Sequence, residues 1–271
     1  MTTGNPRASR FEIVEPTAAR RPIVAHVPHA ATFIPTSIRA EILLDDDSLA
    51  QELVRLTDWH TDELFSWMGE LGGPMLVNRL SRLVFDPERF VDDADEPMAT
   101  VGQGAVYSHT TDGRRMRILT DDDRARRIEE FYDPYHAALT GLVTETLERF
   151  GRCLIVDCHS FSSDPLPSEP DQAPDRPDIC IGTDSFHTPP ALAEHLRRAF
   201  AAEAFRVRLD SPFAGALVPL VYYGRDDRVA SLMIEVRRGL YCDEATGDPA
   251  PTFATVRERL ERAVRSVKPQ E

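Results

Sequence analysis

The chain has 271 residues, 42% of them hydrophobic, with a formal net charge of −14 and a pI near 5.0. That length supports a full core in one α/β domain, whereas the acidic balance excludes general binding to nucleic acid or anionic membranes, which needs a basic face, and leaves small molecules as partners. No apolar run nears the roughly 18 residues of a membrane span, and the polar start Met1-Thr-Thr-Gly-Asn-Pro6 lacks a signal-peptide core, so the sequence predicts a cytoplasmic protein.

After a leader over residues 1–12, the run Ile23-Val-Ala-His-Val-Pro-His29 reads as a buried strand that delivers an imidazole at its carboxyl end, followed by a loop to Pro35. Leu49, Leu53, Leu56, Leu64, Phe65 and Met68 keep helical spacing until Gly72-Gly73, with Asp58 as the point of a break. Met75-Leu-Val77 begins a second strand. Residues 78–116, rich in Arg, Asp and Gly, read as an excursion beside the active site, with a hairpin turn at Asp112-Gly113. Thr120 can cap the next helix with Asp121, Asp122 and Asp123 at its positive end, Pro134 should divide or kink it, and it resumes through Phe150. Leu154-Ile-Val-Asp-Cys-His159 is a second strand ending in an imidazole, and Phe161–Pro177, with five prolines, is a long loop that we expect to act as a lid. Further strands are predicted at 179–181, 205–209, 217–223 and 232–236, and helices near 188–204 and 252–267. The sum is a single α/β domain over 13–271, a mixed and mostly parallel β-sheet flanked by helices on both faces. Cys153, Cys158, Cys180 and Cys242 form no Cys-x-x-Cys pair and read as reduced core residues.

Open α/β sheets bind ligands at the carboxyl ends of their strands, so two histidines delivered there suggest a metal site. His29 and His159 with one acid would complete the two-His, one-acid set of a catalytic zinc ion. Asp58 is the chosen acid, with Asp62 and Glu63 as the nearest competitors. Glu235, set between Ile234 and Val236, is costly to bury unless paired or working, and is the candidate general base; the plain alternative is an ion pair with Arg237 or Arg238. Asp157 shares a strand face with His159 and could orient it, while His26, facing opposite His29 on an extended run, is left as a supporting or core residue. No Gly-x-Ser-x-Gly elbow surrounds Ser160, and no phosphate-binding Gly-rich loop follows a strand.

Val27-Pro-His29-Ala30, Asp58-Trp-His60, Ser81-Arg82 followed by Asp86 and Arg89, Asp157-Cys-His159-Ser160, Pro212-Phe-Ala-Gly215 and Ile234-Glu-Val-Arg237 together resemble the N-formylglutamate amidohydrolase family over residues 22–245. The resemblance implies a zinc carboxypeptidase-like fold and hydrolysis of N-formyl-L-glutamate to formate and L-glutamate, closing a histidine-degradation route. The chain departs from the family pattern at Glu88-Arg89, where Asn usually precedes the Arg, and at Ala30-Ala31, where Ser-Gly is common. For a dicarboxylate substrate, Arg82, Arg89 and Arg237 are the candidate carboxylate clamps, since a guanidinium can hold a carboxylate bidentately. Arg114, Arg115 and Arg117 read as an exposed hairpin arm. A related zinc amidase acting on another N-acyl amino acid or small peptide is the nearest alternative. A binding protein of the same fold without turnover is the non-enzymatic one, disfavoured by the presence of both histidines and Glu235.

Overall fold

The computed structural model describes residues 10–266. Seven strands, β1 (Phe11–Val14), β2 (Ile23–Val27), β3 (Met75–Asn78), β4 (Cys153–Phe161), β5 (Ile179–Gly182), β6 (Val207–Leu209) and β7 (Val229–Arg237), form one sheet in the order β1-β3-β2-β4-β7-β5-β6. The pairs β3–β2, β2–β4, β4–β7 and β5–β6 are parallel; β1–β3 and β7–β5 are antiparallel. The leader expected over 1–12 lies mostly outside the described residues, and its last two residues belong to β1, which pairs from Phe11↔Asn78 to Val14↔Met75.

The helices are α1 (Thr36–Arg39), α2 (Asp46–Leu56), α3 (Thr61–Leu64), α4 (Asp121–Arg127), α5 (Asp133–Phe150), α6 (Pro190–Ala202) and α7 (Phe253–Ser266). They cover both faces of the sheet. On one face Ala25, Val27, Val156, Cys158, Leu232 and Ile234 pack with residues of α3, α6 and α7. On the other, Val24, Ile155 and Val229 pack with Leu139, Leu142 and Val143 of α5. Strand alternation therefore sends His26, Asp157, His159 and Glu235 toward the α5 side, because they share parity with Val24, Ile155 and Val229. All four cysteines are buried and unpaired, and burial raises the thiols of Cys153 and Cys180 to about 12. No helix among the described residues is long and apolar enough to cross a membrane.

Four local outcomes refine the sequence reading. The helical run from Ser48 stops at Thr57, whose extended backbone lets the Asp58 amide donate to the His29 carbonyl at 3.0 Å, and the chain restarts at α3 only after His60 adopts a left-handed φ of 59°. The run before Pro134 widens into a π-turn over Ile128–Tyr132, since a proline has no N–H and crowds the carbonyl four residues back. The strand expected over 217–223 does not form. Pro219 interrupts it, turns link Tyr222 and Tyr223 back to the Pro219 carbonyl, and Leu220 and Val221 stay exposed, so the apolar run is rim and not sheet. The hairpin expected at Asp112-Gly113 is reduced to a single bridge, His109↔Arg115.

Leu232 is fully buried in β7, one of the strands that fill the middle of the sheet. Leu232→Ala should lower the unfolding free energy by about 2–5 kcal/mol, read from the urea midpoint. A loss below about 1 kcal/mol would mean that the site collapses around the missing atoms.

Candidate active site

Three segments converge at the carboxyl end of the sheet. His29 follows β2 by two residues, Asp58 sits in the break between α2 and α3, and His159 projects from β4 beside Glu235, its in-register neighbour on β7. Asp58 Oδ2 lies 3.6 Å from His29 Nδ1, 3.2 Å from His159 Nδ1 and 3.2 Å from the Ser160 amide, which donates to it. One donor atom from each of His29, Asp58 and His159 lies within 4.8 Å of the others, and all three residues are buried. The far nitrogens are held from behind: His29 Nε2 meets Asp86 Oδ1 at 2.8 Å, and His159 Nε2 meets Asp157 Oδ1 at 2.9 Å. This leaves His29 Nδ1 buried with no hydrogen-bond partner and turned toward Asp58. Two imidazole nitrogens facing one carboxylate, each ring oriented through its other nitrogen, suit a divalent cation such as zinc.

Electrostatics favour a charged Asp58. Burial alone would raise its pKa, but the hydrogen bond from His159 and the adjacent His29 and His159 imidazoles outweigh that and hold it low. Asp86 behaves the same way: burial opposes its charge, yet Arg82, His29 and Arg89 keep it well below the usual carboxylate range. Glu235 goes the other way. It is buried, its Oε2 has no partner, and burial lifts it to about 8 against the opposing pull of His159.

His29, Asp58, His159 and Glu235 line a cavity of about 510 Å³, together with Arg82, Arg89 and Tyr107. Arg82 is clamped on Asp86, with Nη2 at 2.7 Å and Nε at 3.2 Å, and the Tyr107 hydroxyl donates to the same carboxylate at 2.8 Å. Arg89 is freer; its Nε is buried without a hydrogen-bond partner and stands 3.9 Å from both Asp86 and Glu96. Arg237 is not brought to the cavity. At the end of β7 its amide donates to the Asp178 carbonyl and its Nη2 pairs with the Asp178 carboxylate at 2.5 Å, in the turn before β5. Arg238 lines the cavity instead. Of the competing acids, Asp62 pairs with Arg79 at 2.7 Å and Glu63 is exposed, so Asp58 is the acid beside the histidines. Arg114 pairs with Asp112 on the exposed arm as expected, whereas Arg117 is buried and donates to the Leu83 carbonyl. Leu166, Ser168, Glu169 and Pro170 of the 161–177 loop border the cavity; Arg176, buried, ties this loop to Glu169 and lies over the Phe161 and Phe213 rings.

Sequence reasoning missed the role of three residues. Asp86 and Tyr107 act through partners far away in the chain: Asp86 stands in the Ser81-Arg82…Arg89 motif, but nothing local linked it to His29, and Tyr107 gave no signal. Arg238 is the third. Its Nη1 donates to the carbonyls of Val54, Arg55 and Thr57 at 3.3, 2.7 and 3.1 Å, capping the open end of α2 and fixing the backbone that carries Asp58. Arg238→Met should cost about 2–4 kcal/mol of stability by leaving those carbonyls short of donors, with Arg238→Lys recovering only part. Urea titration of the three proteins checks this, and an unchanged midpoint would show that water replaces the guanidinium.

Residues 21–242 match the family model of N-formylglutamate amidohydrolases. The N-formylglutamate deformylase of Pseudomonas aeruginosa is 28% identical over 263 residues, spanning 92% of this chain and 95% of that protein. That of Pseudomonas putida is 26% identical over 232 residues, spanning 83% of each. The crystal structure of N-formylglutamate amidohydrolase from Ralstonia eutropha superposes with a TM-score of 0.83 at 26% identity, covering 94% of this chain and 96% of that one. An Agrobacterium tumefaciens protein, 20% identical with a TM-score of 0.69 over 95% of each chain, shares the fold.

Proposed function

Because the chain belongs to the N-formylglutamate amidohydrolase family, we propose that it hydrolyses N-formyl-L-glutamate to formate and L-glutamate, with a divalent metal ion held by His29, Asp58 and His159. One observation carries the reading: two buried imidazole nitrogens converge on Asp58 in a cavity whose wall also presents the partnerless carboxylate oxygen of Glu235. Zinc bound there supplies Lewis-acid polarisation of the formyl oxygen and makes a neighbouring water more acidic.

Glu235 is the general base. It takes the proton of the attacking water as the new C–O bond forms, and returns it to the nitrogen as the C–N bond breaks, so that formate and the amine of glutamate leave. A carboxyl lifted toward neutrality is matched to both transfers. Arg89, with an uncommitted Nε at the cavity wall, binds a substrate carboxylate; Arg82 adds positive potential while holding Asp86, and through it His29. Arg238 keeps Asp58 in place. Two deformylase relatives and the family match support this substrate, and the reaction would serve histidine degradation in the cytoplasm.

Formate release from N-formyl-L-glutamate should disappear on chelation and return with zinc. Glu235→Gln should keep the metal and lose at least ~100-fold in kcat, the scale of a general base. A protein that binds zinc but leaves this substrate intact would redirect the assignment to another N-acyl amino acid or a small peptide. One that binds the substrate without turnover under every metal would be a binding protein of the same fold.

A further inference from the structure

Behind His159, on the side away from Asp58, a second set of donors converges. His26 Nδ1 lies 2.8 Å from Asp157 Oδ1 and 3.1 Å from Glu88 Oε1, and His159 Nε2 stands 2.9 Å from the same Asp157 oxygen and 3.8 Å from the same Glu88 oxygen. One donor atom each of His26, Glu88 and Asp157 falls within 4.8 Å of the others. We propose that His26, Glu88 and Asp157 form a second divalent-cation site next to the first, for an ion of the zinc class.

Hydrogen bonds alone do not complete this cluster. The single Nδ1 hydrogen of His26 is directed to Asp157, and His159 also donates to Asp157. Glu88 Oε1 is thereby buried with no hydrogen-bond partner, although it faces both imidazoles. That oxygen is compensated only by the nearby imidazoles, without a directed hydrogen bond, and a cation shared with Asp157 and His26 would satisfy it directly. The separations suit one: donors at about 2.0–2.2 Å from a tetrahedral ion sit roughly 3.3 Å from each other. One imidazole and two carboxylates leave an open position, and Glu88 borders the cavity, so that position can face substrate. Its use there rests on the proposed reaction: an ion on Glu88 turns a wall that would repel an anionic N-acyl amino acid into one that attracts its carboxylate.

The test counts ions and does not depend on turnover. Metal-stripped full-length protein is titrated with zinc at pH ~8, where protons compete weakly, and examined by native mass spectrometry. Wild type should hold two ions, Glu88→Gln one, His29→Ala one, and the double variant none. His26→Asn, with folding verified by circular dichroism, should repeat the Glu88→Gln result. A single ion in wild type that His29→Ala removes and Glu88→Gln leaves would overturn the second site and confine the cluster to shared protons. A single ion removed by Glu88→Gln and kept by His29→Ala would uphold this site and defeat the first one. No ion in any protein would defeat both.

Discussion

A carboxylate taken out of water must find opposite charge or hydrogen-bond donors, and this fold buries several at one end of its sheet, Asp58, Asp86 and Asp157 among them, with Glu88 largely covered beside them. Their partners decide where everything else goes. Asp86 alone accepts from or pairs with His29, Arg82, Tyr107 and the Glu88 amide, so it ties the strand-end loop after β2 to both limbs of the 78–116 excursion. Removing it would free more than one side chain, because His29 would lose the group that orients its ring. Asp157 does the equivalent work for His26 and His159 from within β4. The imidazoles are thus oriented before any ligand arrives, which is the economy of a preorganised site.

The sheet supplies the spacing. Parallel neighbours β4 and β7 place His159 and Glu235 in register, so the distance between a candidate ligand and the candidate base is set by strand pairing and not by a flexible loop. Asp58 has no strand of its own, and its position is over-determined by other means. Its amide donates to the His29 carbonyl, its carboxylate receives the Ser160 amide, and the Arg238 guanidinium locks the three carbonyls just ahead of it. The left-handed backbone at His60 is held by the same packing: His60 Nε2 meets the Gly247 carbonyl at 2.7 Å, and a Cβ at Gly247 would strike the Trp59 ring at 2.4 Å. A kink of this kind is tolerated because the surrounding contacts leave the chain no better alternative.

What could be read in advance follows from which interactions are local. The strands of Ile23–Val27, Cys153–Phe161 and Val229–Arg237 are buried on both faces and announce themselves as apolar runs, so the polar residues inside them, His159 and Glu235, stood out at once. The Thr120 cap was equally visible, since its capping box spans three residues. Long-range pairing was not. Nothing near Arg237 or Arg238 says which of the two enters the cavity; that depends on where β7 ends and on the carbonyls that α2, about 180 residues earlier, leaves open. Leu217–Tyr223 misled for the opposite reason. Its composition is that of a strand, but the rim of a cavity can also be apolar, and periodicity does not separate the two.

The division between floor and rim has a consequence for specificity. The floor residues His159 and Glu235 come from strands, and His29 and Asp58 from turns pinned beside them by backbone hydrogen bonds and buried ion pairs. The rim comes from the 161–177 loop and the stretch from Pro212 to Tyr223, where Phe213, Leu220 and Tyr223 meet the cavity with no ladder behind them. Apolar side chains that are half exposed there, as Leu220 and Tyr223 are, can close on an acyl or side-chain group at little cost in polar desolvation. Loops also accept substitution without loss of the core. Under the proposed reaction, selection among N-acyl substrates would belong to these loops together with the Glu88-Arg89 pair, and the hydrolytic chemistry to the residues held at the end of the sheet.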